Sequence, residues 1–149
     1  MARSQHGNVR KVMINILELS ISADIDLDTL RDGLARSLGA DDDRVIDDED
    51  YWLRPLAERD ELVGFYVARS TSKYPVLLTA HCAADVYGEA LGLVATKMSA
   101  ALGVSVAVGD FVHDVELATG RFVVYSPDGS ARLGYESPDE DGFDIRFFD

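Results

Sequence analysis

The sequence predicts an α+β fold, two helices packed on one face of a largely antiparallel sheet, built as a single domain over residues 1–149. Three observations carry this expectation. Segments such as Val63–Val67 and Arg121–Tyr125 alternate with a period of two and read as strands. Two other stretches, around Leu27–Leu38 and Val86–Leu102, repeat apolar residues every three or four positions and read as helices. The chain of 149 residues also suits one core. Such a chain buries roughly two thirds of its unfolded surface and needs no disulfide or metal staple.

Val9–Ser22 opens the chain as a long strand. Val12, Ile14 and Ile16 lie on one face, and Leu17, Leu19 and Ile21 on the other. The phase change at Ile16 implies a bulge or a strand covered on both sides. Asp24 and Asp26 then offer N-caps for a helix through Leu27, Leu30, Leu34 and Leu38, with Gly39 as its stop. Asp41–Asp50 is either a charged connection or an edge strand through Val45 and Ile46, and repulsion among its carboxylates disfavours burial. Leu62–Ser70 reads as a strand, Ser70–Tyr74 as a turn and Pro75–Ala80 as the next strand. The proline at that strand's start removes no interior ladder donor.

Asp85–Leu102 reads as the second helix, with Val86, Ala90, Val94, Met98 and Leu102 on one stripe and Gly103 beyond its end. Gly88 and Gly92 fall inside this span and offer a smooth strip for close packing against the sheet. Val104–Val108 follows as a strand that could run on to Leu117. Arg121–Tyr125 and Ala131–Glu136 flank Ser126-Pro127-Asp128-Gly129, the signature of a hairpin. Ile145 and Phe147 suggest a short last strand in the acidic segment Ser137–Asp149. The order matches a ferredoxin-like split βαβ core with a C-terminal β-hairpin added.

Charge is concentrated. Fourteen Lys and Arg face 27 Asp and Glu, a formal net charge of −13. Residues 41–50 contribute −6 of it and residues 136–149 another −5, while residues 1–40 sum to zero. Salt adaptation would spread acid over the whole surface, so two local patches point elsewhere. A field this negative repels nucleic acid and anionic membranes and draws basic partners inward. The single cysteine, Cys82, forms no intrachain disulfide and suits a cytoplasmic protein. The N-terminal residues lack the apolar run of a signal peptide, and no stretch is long enough for a membrane span.

Motifs for chemistry are sparse. Neither a Walker A loop nor a dinucleotide fingerprint is present, and no cofactor is implied. His81 and Cys82 adjoin at the entry to the second helix, but neighbours on a strand point to opposite faces. That geometry favours Cys82 as a small core residue and Asp85 as a helix cap over a nucleophilic pair. His6 stands near the start of the chain. Asp110, His113 and Asp114 would share a face only on a helix, and their surroundings alternate like a strand, which disfavours a metal site on all three but leaves open coordination by Asp110 and Asp114 with oxygens from elsewhere.

The acidic run is the stronger signal. Asp41, Asp42 and Asp43, then Asp47, Asp48, Glu49 and Asp50, lead into Tyr51 and Trp52. Carboxylates around an aromatic anchor suit a surface that meets Arg or Lys on a partner. The plain alternative is a solvated loop followed by a core Trp52. Asp139, Glu140 and Asp141 form a weaker second patch. The expectation is a small acidic protein-binding or inhibitory protein rather than an enzyme, of the kind that bacterial immunity proteins and antitoxins exemplify, occluding a basic toxin such as a nuclease. One alternative is an enzymatic or small-ligand domain with a pocket between the sheet and the second helix, using Tyr66, His81, Asp85, Tyr87 and His113. Another is a subunit of a homo-oligomeric or secretion-related assembly joined by edge strands or the C-terminal hairpin.

Overall fold

The computed structural model of the protein describes residues 14–109, 120–139 and 142–148. β1 (Asn15–Ile21) leads to α1 (Leu27–Leu38), a 3-10 turn (Asp42–Arg44), β2 (Val45–Asp47) and two short helices, α2 (Asp48–Leu53) and α3 (Leu56–Arg59). The antiparallel pair β3 (Val63–Arg69) and β4 (Val76–Cys82) follows, then α4 (Glu89–Leu102) and β5 (Val106–Gly109). A meander of β6 (Arg121–Tyr125), β7 (Ala131–Asp139) and β8 (Gly142–Phe147) completes the described chain. The strands form one sheet in the order β2-β3-β4-β1-β5-β6-β7-β8, and every pair is antiparallel except β2 with β3. Its inner strands β3-β4-β1-β5, together with α1 and α4, reproduce the expected split βαβ core.

Alternation along each strand sorts the core. Leu17, Leu19 and Ile21 of β1, Val63 and Phe65 of β3, and Val76, Leu78, Ala80 and Cys82 of β4 all bury on the helix side. Leu30 and Leu34 of α1 and Val94, Ala95 and Met98 of α4 cover them. β1 pairs with β4 without interruption from Asn15 to Ile21, so the bulge expected at Ile16 is absent there. Ile16 simply takes the opposite face, where it is exposed. Val9 to Met13, the start of the expected first strand, lie outside the described residues.

α1 begins as read: the Asp26 carboxylate accepts the Thr29 amide at 3.1 Å and the Thr29 hydroxyl at 2.7 Å. Those bonds hold its carboxyl below the usual range. The second long helix starts later than expected. The Asp85 side chain accepts the Tyr87 amide at 3.2 Å in a local turn, and Gly88 at φ +54° stands before the first helical residue. Asp85 is therefore a turn residue and not the cap of α4. Of the close approach expected along Gly88 and Gly92, a Cβ at Gly88 would meet nothing within 4 Å, while a tight approach is found at Gly33 of α1. A Cβ there would lie 3.2 Å from Leu102 Cδ2 and 3.4 Å from Met98 Sδ.

The other face of the sheet is concave. Tyr74, in the connection before β4, meets Phe143 of β8 with ring centroids 5.6 Å apart, and Phe143 meets Phe122 of β6 at 5.2 Å. Lys73 Nζ lies 3.4 Å from Asp144. β4 and β8 are well separated in the sheet order, so these contacts require strong coiling. The final strand is longer than read and pairs with β7 from Gly134↔Phe147 to Asp139↔Gly142. No helix among the described residues is long and apolar enough to cross a membrane.

α2 occupies part of this concave face and fixes its geometry. Tyr51 is fully buried, and its ring rests on the backbone of Gly64, whose neighbour across the sheet is His81. A Cβ on Gly64 would overlap the Cβ and Cγ of Tyr51. Gly64→Ala is therefore expected to destabilise the protein by about 1–3 kcal/mol through overpacking. Urea unfolding checks this, and an unchanged midpoint would show that α2 does not sit on β3.

Candidate docking surface

The acidic segment folds because a helix N-terminus accepts it. Asp47 caps α2, its carboxylate accepting the Glu49 amide at 3.1 Å. Asp48, Glu49 and Asp50 fill the first turn, where the positive pole of the helix favours carboxylates. Pro55 disfavours helical torsions at Arg54, and α2 stops at Leu53. The expected edge strand is present as β2, pairing Val45–Asp47 with Val63–Phe65.

One carboxylate turns inward. Asp48 Oδ1 is 2.8 Å from His81 Nδ1, and Asp48 Oδ2 accepts the Trp52 indole N–H at 3.1 Å. The side chains of His81 and Asp48 are only 13% and 19% exposed, so the contact is shielded from solvent. The His81 ring stacks on Tyr51 with centroids 6.4 Å apart and meets Trp52 edge-on at 5.1 Å. Arg59 closes the outer side. Its guanidinium lies 5.1 Å from the Trp52 ring centroid and donates to the Trp52 carbonyl at 2.8 Å. Burial pushes the Tyr51 phenol pKa up, and its hydroxyl has no hydrogen-bond partner among the described residues.

The remaining acids divide into two groups. Arg44 takes Glu61 at 2.9 Å and Asp41 at 3.8 Å, and the Glu61 bond raises the guanidinium pKa. The side chains of Asp42, Asp43, Glu49 and Asp50 are exposed and make no hydrogen bond or ion pair among the described residues. On α2 the apolar side chains of Leu53 and Trp52 are 82% and 43% exposed, and Leu56 of α3 is 55% exposed. Tyr51, expected at this surface, belongs to the core. Trp52 is neither a free anchor nor a core residue, since one edge is clamped and the other is open. Asp48 likewise leaves the surface to hold His81. Asp139 ends β7, and Glu140 and Asp141 lie outside the described residues, as do His6, Asp110, His113 and Asp114.

The described residues of the expected pocket between sheet and second helix do not converge, and His113 lies outside the described residues. His81 is covered by α2, Tyr66 is exposed on the concave face, and Asp85 sits in its turn. Among the described residues of that group, only Tyr87 lines a large groove, about 810 Å³, which opens on the concave side. Cys82 faces the helices, opposite His81, and burial pushes its thiol pKa up, which suppresses the thiolate. Among the described residues no three His, Cys, Asp or Glu side chains converge as a metal-binding group. At the sheet's end, the Asp144 carboxylate accepts the Ile145 amide at 2.8 Å and so occupies part of the free edge of β8. No family model, curated protein or solved structure matches this chain.

Sequence reasoning missed the Asp48–His81 contact, whose partners are 33 positions apart. Gly64 was the available signal, because a glycine inside a strand marks a close backbone approach. If the contact holds α2 down, Asp48→Ala and His81→Ala should each cost about 1–3 kcal/mol. Their double mutant should then fall short of the sum by about 0.5–3 kcal/mol. Denaturation of the four proteins measures this, and strict additivity would show that the two side chains do not interact.

Proposed function

We propose that the protein is a small acidic binding protein that docks on a cationic surface of another protein and occludes it. Immunity proteins and antitoxins that neutralise basic toxins, nucleases among them, are the class that works in this way. The observation behind the proposal is that α2 carries exposed Trp52 and Leu53 together with the unpaired Glu49 and Asp50, with exposed Leu56 following on α3 and the unpaired Asp42 and Asp43 preceding in the same acidic run. Apolar anchors exclude water at the centre of an interface, and rim charges select and steer the partner. An enzyme that grips phosphates with Arg and Lys offers the complementary surface, and carboxylates would replace those phosphates. The one cysteine, buried in the core, suits a reducing compartment such as the cytoplasm.

The surface is rigid where rigidity matters. The Tyr51 and Asp48 contacts fix α2, so the outward residues Glu49, Asp50 and Leu53 are pre-positioned and little ordering cost falls on binding. Charge then acts on the association rate and the apolar side chains on the dissociation rate.

Capture from native lysate at low and high salt, followed by binding kinetics on the captured protein, tests this. The partner is expected to be basic and to be released by salt. Replacing Asp42, Asp43, Glu49 and Asp50 by their amides should slow association by about tenfold or more and flatten its salt dependence. Leu53→Ala should speed dissociation by about fivefold or more. Acidic partners, or retention indifferent to salt and to both variants, would overturn the proposal.

A further inference from the structure

We propose that the concave groove is a binding site for a small amphiphile, with an apolar body and a single cationic head. This site is separate from the docking surface and does not rest on it.

The groove exists because the sheet opens. β1 and β5 are bridged only at Ser20↔Ala107 and Ile21↔Val106, and beyond the latter the Ser22 amide donates to the Ser105 carbonyl at 3.1 Å. Continued in register, Gly109 would face Glu18, yet no bridge forms there. In an antiparallel ladder, peptide groups alternate between neighbours. The Glu18 and Ile16 amides therefore point to the same side as that of Ser22, into the opening. Through this gap the helix-side residues Leu17, Val86 and Leu91 join the groove wall, with Ile16, Leu77 and Ala107 from the concave face. The edge-to-face cluster of Tyr74, Phe143 and Phe122 walls one end.

Size and lining fit a small organic molecule. About 810 Å³ falls within the range of small-molecule sites, roughly 300–1,000 Å³. Ile16 at 50% and Tyr87 at 53% exposure hold apolar area in water that an occupant would cover.

Charge decides the head group. Among the described residues two charged side chains line the groove, Arg69 and Glu18. Arg69 is already held by Asp24. The Glu18 side chain makes no hydrogen bond or ion pair among the described residues, so its carboxylate is the charge left to neutralise. The Tyr87 ring on the wall can also face a cation. A fatty acid would set its own carboxylate against Glu18 and a chain of net charge −13. An ammonium at Glu18 with its alkyl body along Ile16, Leu77 and Ala107 satisfies both demands.

Calorimetric titration with decylamine, decanol and decanoate, together with amide-shift mapping, tests the assignment. Decylamine should bind about fivefold or more tighter than decanol, and decanoate should bind weakest. The shifted amides should be those of residues 16–20, 77, 87 and 107. Glu18→Gln should remove the preference for the amine over the alcohol. Asp32→Asn makes the same change in net charge on an exposed position of α1 and should leave the preference intact. The proposal would be overturned by no uptake of any probe, by equal affinity for amine and alcohol, or by a preference that both variants lose alike. Shifts confined to α2 would also overturn it, since the amine would then be a counterion of the acidic surface.

Discussion

The placement of Tyr51 on the bare backbone of Gly64 governs the rest of the molecule's surface. It sets a short acidic helix on the face of the sheet that the two long helices leave open. Without that contact, α2 would have six residues and no reason to be helical, since isolated helices of such length are unstable in water. Burying the Tyr51 ring is worth about 1.5–3 kcal/mol. The unpaired hydroxyl subtracts from this. The Asp48 carboxylate, shared between His81 and the Trp52 indole, supplies the directional part of the attachment.

This arrangement resolves an apparent conflict in the sequence. A run with seven acidic residues in ten should resist folding, yet it folds here by distributing its charges among distinct roles. Asp47 serves the helix start, Asp48 serves the core contact, and Asp41 leans on Arg44. Only Asp42, Asp43, Glu49 and Asp50 remain uncommitted. The uncommitted charge is thus smaller than the sequence total, and two of its four carboxylates, Glu49 and Asp50, stand on α2 with the exposed Leu53.

The layout of helices and strands was legible because its signals are local. The Leu27–Leu38 stripe with Asp26 and Gly39, the alternation of β3, and the Ser126–Gly129 turn each encode their own element. Where the reading failed, long-range contacts decide the outcome. Nothing near Asp48 in sequence announces His81, and the helical propensity of an acidic hexamer is too weak to show. The late start of α4 depended on two local details, the turn at Asp85 and the positive φ of Gly88, which a stripe beginning at Val86 concealed. Tyr51 and Trp52 looked equivalent as adjacent aromatics. Helical geometry separates them, sending Tyr51 under the helix and Trp52 to its edge. The concave groove was invisible because it depends on two strands parting partway along their length.

The account rests on α2 being seated on the sheet, and amide hydrogen exchange of residues 48–54 reports that most directly. Anchoring predicts that the Leu53 and Arg54 amides, which close the helix, exchange far more slowly than in an unstructured peptide. It predicts too that His81→Ala releases this protection while leaving α1 protected. Exchange at the unstructured rate in the unaltered protein would contradict the account, leaving the acidic segment a solvated loop with no fixed surface to present.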